Sequence, residues 1–145
     1  MLAIVEARQA LSNLNEAKIL EMAKVLFALP KEDQIDLETN VNHYIADGVY
    51  TRESIFPAGS FIIGKKHKKA TINIVSKGRA LVHVEEGKPL LAVEAPYTFV
   101  SPAGAQKVGY FFEDTIWINS FATDEMDLEK IQDEIIINQE ELLWE

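Results

Sequence analysis

An all-β sandwich or barrel with a helix at each end is the fold class this chain predicts, and three observations lead to it. From Gly48 to Ala122 the sequence runs in short stretches rich in β-branched and aromatic residues. Each stretch is closed by turn residues: Pro57-Ala-Gly59, Ser76-Lys-Gly78, Glu85-Glu-Gly-Lys88, Pro102-Ala-Gly104 and Glu113-Asp114. About eight strands with turns this regular indicate a sandwich or barrel. No helix-length segment alternates with them, which argues against a parallel α/β sheet.

The elements follow in order. Asn13 can cap a first helix, with Glu16 three residues on to close a capping box. Ile19, Met22, Ala23, Leu26 and Phe27 then recur at helical spacing. Pro30 ends this helix, because proline disfavours a helical residue before it. Lys31 to Leu37 suits one further turn, with acids at its start facing the positive end of the dipole. Strands are expected near Val49–Phe56, Phe61–Gly64, Thr71–Ser76, Arg79–Val84, Pro89–Val93, Thr98–Ser101, Gln106–Phe112 and Thr115–Ala122. A final helix, capped by Thr123 or Asp124, carries Leu128, Ile131 and Ile135 on one face. The tail from Gln139 is acidic and ends on Leu142, Leu143 and Trp144. This divides the chain into a helical extension over 1–42, a barrel over 43–123 and a helix with tail over 124–145.

With 145 residues the length suits one domain with a sizeable core. There is no cysteine, which excludes disulfides and thiolate metal sites. The start of the chain lacks the basic and apolar regions of a secretory signal. The longest apolar runs fall well short of the ~20 residues a membrane span needs. A net charge of -9 argues against nucleic acid binding through the general field. The charge is uneven: four of the 14 basic residues are Lys65, Lys66, Lys68 and Lys69.

The phrases Tyr44-Ile-Ala-Asp-Gly-Val-Tyr50, Gly64-Lys-Lys-His67, Asn73-Ile-Val-Ser-Lys-Gly78, Pro96-Tyr-Thr-Phe-Val-Ser101 and Ala122-Thr-Asp-Glu-Met-Asp-Leu-Glu129 carry a resemblance. From about Tyr44 to Ile135 the chain resembles a single-domain cupin, a double-stranded jelly roll. Among cupins it is most similar to small cupin-like proteins of tailed bacteriophages. The resemblance implies a mainly β jelly roll flanked by helices, a homodimer or larger homo-oligomer, and a location in the host cytoplasm or the virion. Cupins usually bind a divalent metal through two histidines and a carboxylate in a first motif and a histidine in a second. Aligned on Gly78, this chain offers His67, then Lys69 for the second histidine, Thr71 for the carboxylate, and Lys107 near the last ligand. One imidazole does not hold a catalytic metal, which needs about three protein ligands. No cofactor and no catalytic residue are therefore expected.

Lys65, His67, Lys69 and Thr71 lie two apart. A strand running through them puts all four on one face. If that face lines the barrel mouth, Lys107 joins it, and the metal site has become a basic pocket for a small anion such as a carboxylate, phosphate or nucleotide. The competing reading is a solvated corner whose lysines blunt a sheet edge. His43 falls in a linker and His83 in a strand, so a three-histidine metal site would require long-range convergence with His67. No Gly-x-Ser-x-Gly elbow surrounds any serine. Tyr97, Phe99, Tyr110, Phe112 and Trp117 either line a pocket or fill the core. Three functions remain from different classes. They are a non-enzymatic anion-binding phage protein, a virion structural protein, and a metal-dependent cupin isomerase or dioxygenase.

Overall fold

Period-two alternation of inward and outward side chains organises most of this chain. The computed structural model describes residues 1–34 and 40–139. The part of the expected turn beyond Gln34, up to Leu37, and the tail with Trp144 lie outside those residues. The strands are β1 (Val41–Ala46), β2 (Val49–Phe56), β3 (Phe61–His67), β4 (Thr71–Lys77), β5 (Arg79–His83), β6 (Leu91–Glu94), β7 (Tyr97–Ser101), β8 (Gln106–Phe111), β9 (Thr115–Ala122) and β10 (Ile136–Ile137). They form two five-stranded antiparallel sheets, β1-β2-β9-β4-β7 and β10-β3-β8-β5-β6. From β2 to β9 the chain changes sheet at every step except the β5–β6 hairpin, so the fold is the predicted double-sheet jelly roll.

Two strands were not expected. β1 replaces the linker assigned to His43, and it pairs with β2 along its whole length, from Val41↔Ser54 to Ala46↔Val49. The Asp47-Gly48 dipeptide makes the two-residue turn, with Gly48 at a φ of 78°. β10 is the short strand that caps the β3 edge, pairing Ile136 with His67.

Three helices flank the sheets: α1 (Ile4–Leu11), α2 (Glu16–Phe27) and α3 (Leu128–Ile135). The first helical region is thus two helices rather than one. Asn13 does not cap; it takes the left-handed conformation at φ 58° in the break between them. Asn15 is the cap, its Oδ1 accepting the Lys18 amide at 2.9 Å. The α1–α2 pair covers the outer face of the second sheet. Ala7, Leu11, Leu14 and Ile19 pack there on Leu81, Val108 and Tyr110. Replacing the fully buried Leu11 by alanine is expected to cost about 2–4 kcal/mol. Urea denaturation checks this, and an unchanged midpoint would mean that α1 is not docked.

α3 starts later than expected. Asp127, not Thr123 or Asp124, caps it, accepting the amides of Glu129 at 3.0 Å and Lys130 at 3.3 Å. Its buried Ile131 and Ile135 pack on Tyr50 and Phe121, across one end of the barrel. No described helix is long and apolar enough to cross a membrane.

Candidate functional site at the polar end of the barrel

The barrel interior has two chemically distinct ends. At one end Phe111, Trp117, Val75, Val82 and Val93 form a packed apolar cluster, joined by Phe56 and Phe99. Trp117 stands edge-on to Phe99 and Phe111 at centroid distances of 5.8 and 6.2 Å. Tyr97, Phe99 and Trp117 thus belong to this packing. Tyr110 and Phe112 lie on the other side of the second sheet, under the α1–α2 pair.

The other end is polar. Its organising residue is Asn73, fully buried on β4. The Asn73 amide donates to Thr71 O at 3.1 Å and to Ser101 Oγ at 3.0 Å. Its Oδ1 accepts from Trp117 Nε1 at 3.0 Å and also from Asn119 Nδ2. The hydrogen-bonding capacity of this buried amide is therefore well used. Beside it stand three basic side chains. Lys107 enters from β8, with Nζ 3.5 Å from Ser101 Oγ. His67, at the end of β3, is 9% exposed. Its Nδ1 lies 3.4 Å from Thr71 Oγ1 and its ring meets the Phe121 ring edge-on at 5.1 Å. Arg52 comes from β2, opposite Asn119 in register. Its buried Nε has no hydrogen-bond partner among the described residues.

The electrostatics follow from this crowding. Burial, then Lys107, then Arg52 hold the His67 imidazole down to about 4, so it is neutral at physiological pH. Burial alone pushes the Lys107 ammonium down to about 8. Among the described residues no carboxylate pairs with it; the ion pairs there are Lys66–Glu16, Lys69–Glu134 and Arg79–Glu113. Lys107 and Arg52 take part in none of these.

Of the residues singled out by sequence, the structure brings His67, Thr71 and Lys107 together. It does not bring Lys65 or Lys69 to them. A bulge between Ile63 and Lys66 shifts the parity of β3, and the strand ends at His67 before a corner at residues 68–70. Lys65 is exposed. Lys69 turns outward, its Nζ 2.8 Å from Glu134 Oε1. Sequence reasoning missed Arg52 and Asn73. Arg52 shares strand parity with Tyr50, Ser54 and Phe56, an arginine on an apolar face, and that signal was available.

This donor set does not suit a divalent metal. No group of three or more His, Asp or Glu converges among the described residues. His43 Nδ1 is 2.7 Å from Tyr50 Oη. His83 lies on the same side of β5 as Leu81, which packs under α1. Two cations beside the remaining imidazole would repel a metal ion.

No family model matches the sequence. No curated protein matches it either. Among solved structures, an oxalate oxidase in complex with the substrate analogue glycolate matches 54% of this chain at 28% identity and a TM-score of 0.46. The matched part spans 43% of the oxalate oxidase, under half of its length. A cupin-2 domain protein from Shewanella frigidimarina matches 70% of this chain and 98% of its own, at 9% identity and a TM-score of 0.48. A Streptococcus pyogenes protein of unknown function matches 68% of this chain and 93% of its own, at 14% identity and a TM-score of 0.48. These structural neighbours include cupin jelly rolls, enzymes and proteins without a known role. The jelly-roll assignment rests on the strand order itself.

Proposed function

We propose that this is a non-enzymatic cupin-like protein of phage origin that holds a small anion at the polar end of its barrel, working as a homo-oligomer. The observation that carries the reading is a pair of interior cations without counter-charge among the described residues. Lys107 has one long contact to Ser101, and Arg52 Nε has no partner among the described residues. Buried charge left unpaired is costly. A carboxylate, a phosphate or the phosphate of a nucleotide offsets that cost, and arginine offers such groups a fork of donors. In this reading the cupin metal motif is degenerate, with His67 surviving and Lys107 replacing the last ligand. Arg52, His67, Thr71 and Lys107 contact the anion, whereas Lys65 and Lys69 stay outside. The phage attribution comes from the phrases between Tyr44 and Glu129. A host metabolite or signalling nucleotide, sequestered in the host cytoplasm, is the concrete version.

Native mass spectrometry of the purified protein tests this first, because a bound anion appears as a mass increment lost on denaturation. Calorimetry with oxalate, citrate, inorganic phosphate and AMP then measures affinity. At least one should bind, with Arg52→Leu and Lys107→Met each weakening it about 30-fold or more. Lys69→Ala should leave it unchanged. Failure of every probe to bind, with no mass increment on the protein, would sink the reading. Stoichiometric metal that disappears in His67→Ala would replace it with a metal-dependent one.

A further inference from the structure

A lysine nitrogen is a nucleophile only as the free amine, and water keeps an ordinary lysine protonated. Lys107 is placed differently. On β8 it shares strand parity with Phe111, which packs in the barrel interior, while Val108 and Tyr110 face the helices. Among the described residues no carboxylate pairs with its ammonium. Its burial is incomplete, so the amine stays within reach of a small molecule from solvent.

The groups around it are those a covalent site needs. His67 is neutral, and its Nδ1 lies 3.4 Å from Thr71 Oγ1. Ser101 Oγ stands 3.5 Å from Lys107 Nζ. Both relay protons. Arg52 is half-buried as well, and its Nε has no partner among the described residues. A polar chain joins the two cations: Arg52 lies opposite Asn119 in register, and Asn119 and Ser101 both bond to Asn73. Lys107 and Arg52 also act on the same imidazole. A carbonyl at the amine and a carboxylate at the guanidinium therefore belong to one short molecule, and an α-keto acid is the smallest that carries both.

We propose that Lys107 captures small α-keto acids covalently, as an iminium, with Arg52 holding the carboxylate. The inference rests on the anion site proposed above and adds a covalent bond to it. The free-base Nζ adds its lone pair to the keto carbon, and the carbonyl π pair moves onto oxygen. The nitrogen then passes one proton to that oxygen. The resulting hydroxyl takes a second proton from solvent and leaves as water, while the nitrogen lone pair closes the C=N bond. The positive charge stays on the nitrogen, beside the bound carboxylate. A plain carboxylate or phosphate meets the same two cations but has no carbon for the amine to attack.

Incubation of the purified protein with pyruvate and sodium cyanoborohydride tests this, because hydride turns the C=N bond into a stable secondary amine. The intact mass should rise by that of pyruvic acid less one oxygen atom. Peptide mapping should place the adduct on Lys107, formed at pH 7 at least about 30-fold faster than on the exposed Lys65 or Lys88. Arg52→Leu should slow labelling of Lys107 by about 10-fold or more. Lys107→Arg, which keeps the positive charge, should carry no adduct beyond that of the surface lysines. The mapping is done on the wild-type chain, so the result does not depend on a variant folding. Adducts spread evenly over the lysines, or none on a protein that binds oxalate, citrate, phosphate or AMP, overturn the covalent capture and leave the anion site standing. Labelling that Arg52→Leu does not slow overturns the α-keto acid assignment. No adduct together with no binding of any of those four anions sinks both readings.

Discussion

Lys107→Met should stabilise the ligand-free protein and remove its affinity for anions. The ammonium is held near 8, against an ordinary 10.5, by burial alone. At about 1.36 kcal/mol per pKa unit, this burial costs roughly 3 kcal/mol at neutral pH. The sign follows from linkage. The folded state binds this proton more weakly than the unfolded chain. The penalty is therefore absent above the unfolded value, grows as pH falls through the window between 10.5 and about 8, and is complete below it. Methionine has a similar stem and no charge, so it fills the space without the penalty. The contact it gives up, Lys107 Nζ to Ser101 Oγ, is a long 3.5 Å. Urea denaturation at pH 7 should show the variant more stable by about 2–3 kcal/mol, with the gap closing toward pH 10. A less stable variant at pH 7 would mean that the ammonium is partnered in the folded protein. In the wild type, anion affinity should fall as pH rises above about 8, where the free ammonium loses its proton.

The second large effect is at Gly78, between β4 and β5, where the chain passes from one sheet to the other. Its φ is 101°, in the region that favours glycine. A Cβ there would fall on Thr115 Oγ1 and lie 2.7 Å from both the Asp114 carbonyl oxygen and Thr115 Cα. Two of those atoms are backbone and belong to the start of β9, so relief requires moving a central strand. Gly78→Ala should cost about 3 kcal/mol or more. Gly87 has a φ of 75° but nothing within 4 Å of its would-be Cβ. Gly87→Ala should therefore cost only about 1 kcal/mol, the conformational part. Equal costs in the two variants would show that the clash is relieved without strain.

Strands bounded by strong turn residues were legible in the sequence. Val49–Phe56 and Thr115–Ala122 run in the structure between the ends expected of them. Elements without punctuation were not. α1 has alanine at its cap, whose own side chain bonds nothing, and the Glu6 carboxylate alone reaches back to accept the Ala3 amide at 3.2 Å, so the usual Ser, Thr, Asp or Asn mark of a helix start is missing. β1 had a signal in Asp47-Gly48, but its polar Asn42-His43 pair read as linker. The candidate site was legible in part for a similar reason. Period-two counting holds along an uninterrupted strand, and the β3 bulge breaks it between Ile63 and Lys66. His67 kept an inward position while Lys69 lost one. Arg52 sits on an unbroken strand, where counting works. It was passed over because a charge on an apolar face contradicts the pattern that defines that face.

The lysine run that looked most like a binding surface does a different job. Lys66 pairs with Glu16 at the start of α2. Lys68 Nζ donates to the Asp133 carbonyl at 2.8 Å, and Lys69 reaches Glu134 on the same helix, α3. Neighbouring side chains on one corner thereby grip helices from opposite ends of the polypeptide. Each exposed link is worth under about 1 kcal/mol, yet all are anchored on the same few residues. The corner works as a shared hinge-post: the buried apolar faces hold α2 and α3 on the barrel, and these light links fix where both helices sit relative to one corner of β3.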